Sequence, residues 1–171
     1  YDEAVAFSKD PSSGFIRSMA PRLQGGLDYC FGALLDGKLA GYNWLAMDSI
    51  EAHHNRGGDV ASGVAFSYPT DTIFSYKAFV HSDYRGKGLY PQLVHAAGRW
   101  ARNDLGVRHL VSTADWTNYA ALRSCQRQGK QSIGHVWRFG IEPYMFTIGP
   151  RAATDYGLRL CRQATVADRV G

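Results

Sequence analysis

Strands and amphipathic helices alternate along this 171-residue chain, the order expected of an α/β (α+β) domain. Three observations carry that prediction. Two apolar and aromatic runs, Tyr29 to Leu35 and Lys38 to Met47, are joined by Asp36-Gly37. A strand-like run from Thr72 to His81 passes through a basic loop with two glycines into a helical period that opens at Leu89. A second strand, helix and strand then follow, over His109 to Ala114, Asn118 to Gln128 and Ser132 to Ile141.

Taken in order, Asp2 to Phe7 and Ser13 to Met19 start helical patterns that Asp10-Pro11 and Ala20-Pro21 interrupt. Asp-Gly supplies the positive φ angles of a tight primed turn, so residues 29–47 form a β-hairpin. Asn55 to Asp59 is a break, and Val60 to Phe66 is an extra strand or an irregular excursion before Pro69. Thr72 to His81 is rich in β-branched and aromatic residues and reads as a strand. In the helix that follows, Leu89, Leu93, Ala97, Trp100 and Ala101 mark the buried face, and Gln92, Arg99, Arg102 and Asn103 the other. Leu105-Gly106 ends it. His109 to Ala114 reads as a buried strand, Gly129 stops the next helix, and Glu142-Pro143 turns the chain into a last strand at Tyr144 to Ile148. From Arg151 onward the tail is a short helix or an extension. Trp44, Trp116 and Trp137 are expected mainly in the core.

With 45% hydrophobic and 20% charged residues, the chain is expected to form one domain over residues 1–171. At this length folding buries about 70% of the surface of the unfolded chain, enough for a core without staples. The longest apolar runs, 31–35 and 39–47, are broken by Gly or Asn and fall far short of the roughly 20 residues of a membrane helix. The chain starts at Tyr1 with no charged lead into an apolar segment, so a signal peptide is absent or removed, and the sequence is expected to start inside a longer gene product. Cys30, Cys125 and Cys161 are odd in number and widely spaced, and no histidine stands in zinc-ligand register with them. No metal and a reducing, cytoplasmic setting are expected.

The charge is uneven. Between Arg85 and Lys130 eight basic residues face only Asp104 and Asp115, so this segment is strongly positive although the whole chain is +4. Such a field attracts phosphate. Within it, Tyr84-Arg85-Gly86-Lys87-Gly88-Leu89-Tyr90-Pro91 joins a strand to a helix. Glycines let the backbone come close to an anion, successive N–H groups and the helix dipole point at it, and Arg85 and Lys87 add full charges. Pro91 fits the first helical turn, where its missing N–H costs nothing. A Walker loop is excluded because Gly88 follows Lys87, and a dinucleotide fingerprint fails because Pro91 stands where a third Gly is needed. The plainer reading is a turn that merely caps the helix.

Phe79-Val80-His81-Ser82-Asp83-Tyr84-Arg85-Gly86-Lys87-Gly88-Leu89-Tyr90 resembles motif A of the GNAT superfamily of acyl-CoA N-acyltransferases. Asn118, Ala121 and Gly129 are similar to the family's next segment, an Asn-x-x-Ala helix ending in Gly. The resemblance covers roughly residues 29–148 and is sharpest over 76–129. It implies a mixed, mostly antiparallel sheet with helices on both faces, splayed into a V between the strand ending near Val80 and the one starting near His109.

It also implies acetyl-CoA or another acyl-CoA as donor. The pyrophosphate would sit on Arg85, Gly86, Lys87, Gly88, Leu89 and Tyr90, and the pantetheine arm would pair with Phe79, Val80 and His81. Asn118 would bond the arm, and Arg123 would touch a phosphate. A neutral amine would attack the thioester directly, with a backbone N–H near Val80 at the oxyanion. Tyr90 replaces a family Gly or Ala. Cys125 stands at the position of a proton-donating Tyr, and Tyr76 at that of a base, although an ordinary phenol has a pKa of about 10 and a packed role suits it as well. Glu51, His53, His54 and Asp71 are further base candidates, and Cys125 as an acyl-carrying nucleophile is a rival idea. The acceptor implied is a small-molecule or peptide amine, with a homodimer possible and with neither nucleic acid nor membrane as partner. The alternatives are a degenerate domain that senses acyl-CoA and, behind it, a basic nucleic-acid-binding module.

Overall fold

A computed structural model describes residues 23–26, 28–52, 54–55, 63–141 and 144–161, so the helices expected over 2–7 and 13–19, and the turn at 142–143, lie outside the described residues. In chain order the elements are β1 (Asp28–Leu35), β2 (Lys38–Met47), β3 (Ser49–Ile50), β4 (Phe66–Ser67), β5 (Thr72–Val80), a 3-10 turn (Ser82–Tyr84) and α1 (Leu89–Leu105). Then come β6 (His109–Ser112), α2 (Tyr119–Arg127), β7 (Trp137–Ile141), β8 (Tyr144–Ile148), α3 (Arg151–Asp155) and β9 (Arg159–Leu160). The chain divides into two compact units, residues 1–47 with 70–113 and residues 48–69 with 114–171.

In the first unit the strand order is β1-β2-β5-β6. The hairpin turns on Asp36 and Gly37, at φ 51° and 74°, as the Asp-Gly pair predicts. β1 and β5 run antiparallel to β2, and β6 runs parallel to β5. That one parallel pair requires a crossover, and α1 supplies it. One face of the sheet buries Leu45 and Ile73 against Ala97, Ala101 and Val107, with the Trp100 ring edge-on to Tyr29 and tilted against Phe31 at centroid distances of 4.7 and 5.1 Å. Fully burying a side chain of the Leu or Ile class is worth roughly 1.5–3 kcal/mol, so this seam fixes where α1 lies. Leu93, Ala97 and Ala101 are buried as the period predicts, and Val94 joins them. Gly106 closes α1 at φ 69°, with the Val107 N–H donating back to the Ala101 carbonyl over 3.1 Å.

Two irregularities shape this unit. Lys77 is an extra residue in β5 at φ 20°, because the register passes from Asn43↔Ala78 to Trp44↔Tyr76. β6 pairs only with Thr72 to Ser75 and ends at Ser112, so it is shorter than the expected 109–114 and half-buried rather than buried. Beyond Ser75 no described strand follows β5 on its β6 side, which is the splay that the resemblance implies.

The second unit holds a three-stranded sheet, β3-β4-β9, and the hairpin β7-β8. The expected strand over 132–141 begins only at Trp137, because Gly134 lies at φ 125° against Pro150, where a Cβ would collide with the proline ring. Trp44 is 1% exposed, but Trp116 and Trp137 are 73% and 66% exposed, contrary to the core expected for them. Both sit at or beyond strand ends where no described element covers them. The described part of the tail, residues 151–161, holds α3 and then β9 paired with β4. Among the described residues no helix is long and apolar enough to cross a membrane.

Candidate functional site

The loop after β5 is tied to the sheet at both ends. His81 N–H donates to the Ala40 carbonyl over 2.9 Å, and its Nδ1 caps the 3-10 turn by accepting from Asp83 N–H at 3.4 Å. Arg85 N–H donates to Ser82, while Arg85 Nε reaches back to the Val80 carbonyl over 3.0 Å. Gly86 and Gly88 then take φ 75° and 77°, and Gly88 is the N-cap of α1. A Cβ would meet nothing within 4 Å at Gly86 and only the flexible Gln92 side chain, at 3.9 Å, at Gly88. Backbone conformation, not room within the protein, is what demands glycine here.

Positive φ at alternate residues turns successive N–H groups to one side, making an anion-binding concavity. The N–H groups of Gly86, Lys87, Gly88 and Leu89 have no acceptor among the described residues. The start of α1 adds its dipole behind them. Lys87 Nζ stands 5.6 Å from the centre of the Tyr84 ring, which holds its ammonium beside the loop. The structure therefore brings Phe79, Val80, His81, Arg85, Gly86, Lys87, Gly88, Leu89 and Tyr90 together in one stretch at the open end of β5. Phe79 stacks on Tyr42 at 5.4 Å, next to it in the register of β2 and β5.

Tyr76 is 5% exposed, lies 6.2 Å from the Trp44 ring and donates its hydroxyl to Asp28 Oδ2 over 2.7 Å. Asp28, 3% exposed, is the partner of Tyr76 that sequence reasoning missed. The available signal was an acidic residue opening an apolar strand. Phe74 is fully buried, as a side chain without proton chemistry can be. Across the strand, Ser75 donates to Asn43 Oδ1 over 2.9 Å, and Asn43 Nδ2 has no partner among the described residues. Burial pushes the Cys30 thiol up to about 12, and burial together with neighbouring Cys30 pushes Tyr42 to about 12. Neither is a nucleophile near neutrality. Asp71 is held by Arg108, 3.8 Å away, and by the Thr72 hydroxyl.

In the second unit Asn118 caps α2, its Oδ1 accepting from Ala121 N–H over 3.1 Å, so its amide nitrogen remains for a ligand. Ahead of it, hydrogen bonds from the Thr117 side chain and backbone hold the Asp115 carboxyl below its usual value. Arg123 is exposed and Cys125 half-buried. Burial pushes the Lys130 ammonium below its ordinary value, opposed by its neighbour Cys125. Glu51 and His54 share one turn, His54 N–H donating to the Glu51 carbonyl, and His53 lies outside the described residues.

Residues 6–129 match the family described as the acetyltransferase (GNAT) family. No curated protein matches the sequence. Among solved structures, the aminoglycoside acetyltransferase AAC(6')-Iy in complex with a bisubstrate analogue, CoA-S-monomethyl-acetylneamine, is 22% identical at TM-score 0.54, over 78% of this chain and 82% of that one. A transcriptional regulator from Bacillus halodurans is 16% identical at TM-score 0.54, over 75% of each chain. An aminoglycoside acetyltransferase from an uncultured soil metagenomic sample, in complex with sisomicin, is 17% identical at TM-score 0.51, over 72% and 74%. These likenesses lie in the fold.

Proposed function

Because the chain belongs to the GNAT acetyltransferase family and is an N-acyltransferase, we propose that it moves an acyl group, acetyl in the simplest case, from acyl-CoA to a primary amine. The observation that carries the donor is the loop: four N–H groups without an acceptor among the described residues, two glycines at positive φ and two cations at a helix start. A pyrophosphate fits this set because its oxygens accept from such N–H groups and its charge answers Arg85 and Lys87. The pairing of β5 with β6 ends at Ser75, and the last residues of β5, Ala78 to Val80, suit an extended arm with amide groups of its own.

When bound, acyl-CoA supplies a thioester carbonyl that a neutral amine attacks directly, with thiolate leaving. On the protein side, Tyr76 and Asp28 act as a pair. A proton arriving at Tyr76 Oη is matched by transfer of the phenolic proton to Asp28 Oδ2, so the carboxylate, not the phenol alone, is the final acceptor. Cys125 stays a proposed donor to the leaving thiolate. The acceptor class is a small amine or a peptide amine, and the aminoglycoside enzymes among the neighbours favour a polyamine-like one.

A thiol-release assay with acetyl-, malonyl- and longer-chain acyl-CoA against an amine panel tests this reading. Saturable coenzyme A binding with turnover of at least one amine is the expected result. Binding without turnover of any amine supports the sensing alternative. Absence of coenzyme binding overturns both.

A further inference from the structure

A hollow of about 380 Å³ opens at the far end of α1, lined by Arg102, Gly106, Val107, Arg108 and His109. With 17 residues, α1 is about 25 Å long, so this hollow and the glycine loop at 86–88 are separate places. It is a shallow hollow, half open to solvent, with room for one small ion. Three of its lining residues are basic and come from two parts of the chain, Arg102 from the last turn of α1, and Arg108 and His109 from the entry into β6.

A helix end needs one cation to answer its dipole, and Arg102 supplies that. Arg108 and His109 exceed the requirement. Asp104 lies in the same last turn of α1 without an ion pair among the described residues, and the acid paired with Arg108 is Asp71, whose Oδ2 stands 3.8 Å away with side chains 73% and 37% exposed. An exposed pair of this kind is weak, so Arg108 is able to turn to a better anion. Arg102 has no ionic or hydrogen-bond partner among the described residues, and Arg99 and His95 continue the basic line along the exposed face of α1 at helical spacing. Backbone N–H groups in the hollow are already engaged. Those of Arg108 and His109 donate to the Asp71 carbonyl and that of Val107 to Ala101, so recognition falls to side chains.

The geometry points to a second anion site in this hollow, taking a small organic anion of at least two negative charges, with phosphoryl or carboxylate groups gripped by Arg102 and Arg108. Both groups present the oxygen pairs that a guanidinium fork binds, and a site of this size holds one metabolite, not a polymer. It acts apart from acyl transfer.

The test is calorimetric titration of the full chain with inorganic pyrophosphate and, separately, with citrate. Coenzyme A is kept in excess so that the glycine loop is filled. Saturable binding of one equivalent of either probe is expected, with pyrophosphate alone indicating a phosphoryl site and citrate alone a carboxylate site. Arg102→Gln and Arg108→Gln should each weaken it about ten-fold or more, and Lys87→Gln should leave it unchanged. Both arginines are exposed, so the variants fold, and matching melting curves check that. If coenzyme A fails to bind, the same titration is run in the Gly88→Trp background, where the loop is blocked, so the failure of the donor reading is told apart from failure here. No saturable heat with either probe, or binding indifferent to both arginine variants, overturns the proposal.

Discussion

The Tyr76 hydroxyl lies 2.7 Å from Asp28 Oδ2, joining the middle of β5 to the first residue of β1 across the buried strand β2. Neither side chain is more than 5% exposed. Tyr76→Phe removes one atom and leaves the buried carboxylate without that donor, a loss of roughly 1–3 kcal/mol by the cost of an unmet polar group. If the pair accepts the proton of the amine, kcat also falls about a hundred-fold while KM for acetyl-CoA stays put. Steady-state kinetics beside a melting curve separate the two effects. A lower Tm with unchanged kcat makes Tyr76 a packing residue.

At the loop, Gly88→Trp places a large side chain at φ 77°, a conformation costing about 1–3 kcal/mol for a residue with a Cβ. Since nothing nearer than 3.9 Å crowds that position, the protein should fold. The indole then occupies the phosphate seat, and KM for acyl-CoA should rise at least about ten-fold. Retained affinity would place the coenzyme elsewhere.

The conformation of the loop was legible because turn chemistry is local. Asp36-Gly37, Gly86-x-Gly88, Pro91, Gly106 and Gly129 each mark a turn or helix end whose φ angle the neighbouring chain cannot alter, and the strands and helices between them follow. What escaped reading depends on distant partners. Asp28 is an ordinary acidic residue until Tyr76, 48 positions away, reaches it. The expected strand over 132–136 gave way because Gly134 packs against Pro150, a contact that no period reveals. Trp116 and Trp137 looked like core because aromatic residues usually are, and periodicity says nothing about whether a hairpin face is covered.

Arg85 couples the loop to the strand end. Its Nε bond to the Val80 carbonyl fixes the direction in which Gly86 sets out. Arg85→Lys keeps the charge but loses the guanidinium geometry. Coenzyme A affinity should fall several-fold in Arg85→Lys and about ten-fold or more in Arg85→Ala, as read by calorimetry. A full rescue by lysine would reduce Arg85 to a point charge.

Gly41 is the third lever, because a Cβ there would stand 2.8 Å from the Phe79 carbonyl oxygen and 3.3 Å from the Val80 side chain. The obstacle is backbone, so Gly41→Ala must push β5 away from β2 beside the splay. Overpacking of this kind typically costs about 1–3 kcal/mol. The expected outcome is a lowered Tm together with weaker coenzyme binding, because the displaced residues form the open edge. An unchanged Tm would mean that the strand gives way freely.

Alkaline stability follows from Cys30 and Tyr42, both raised to about 12 from ordinary values of 9.0 and 10.0. Burial disfavours the thiolate and the phenolate, and for Tyr42 the neighbouring Cys30 adds repulsion. The unfolded chain therefore releases these protons first, and the folded chain holds more of them above about pH 9. Stability then has a negative slope with pH. The contribution is complete below about pH 9 and is lost as pH rises toward 12. Urea denaturation at half-unit steps from pH 8 to 11.5 should show a falling midpoint, less steep between pH 9 and 10 in Cys30→Ala and less steep above pH 10 in Tyr42→Phe. A midpoint that falls identically in all three proteins would assign the alkaline loss to other groups.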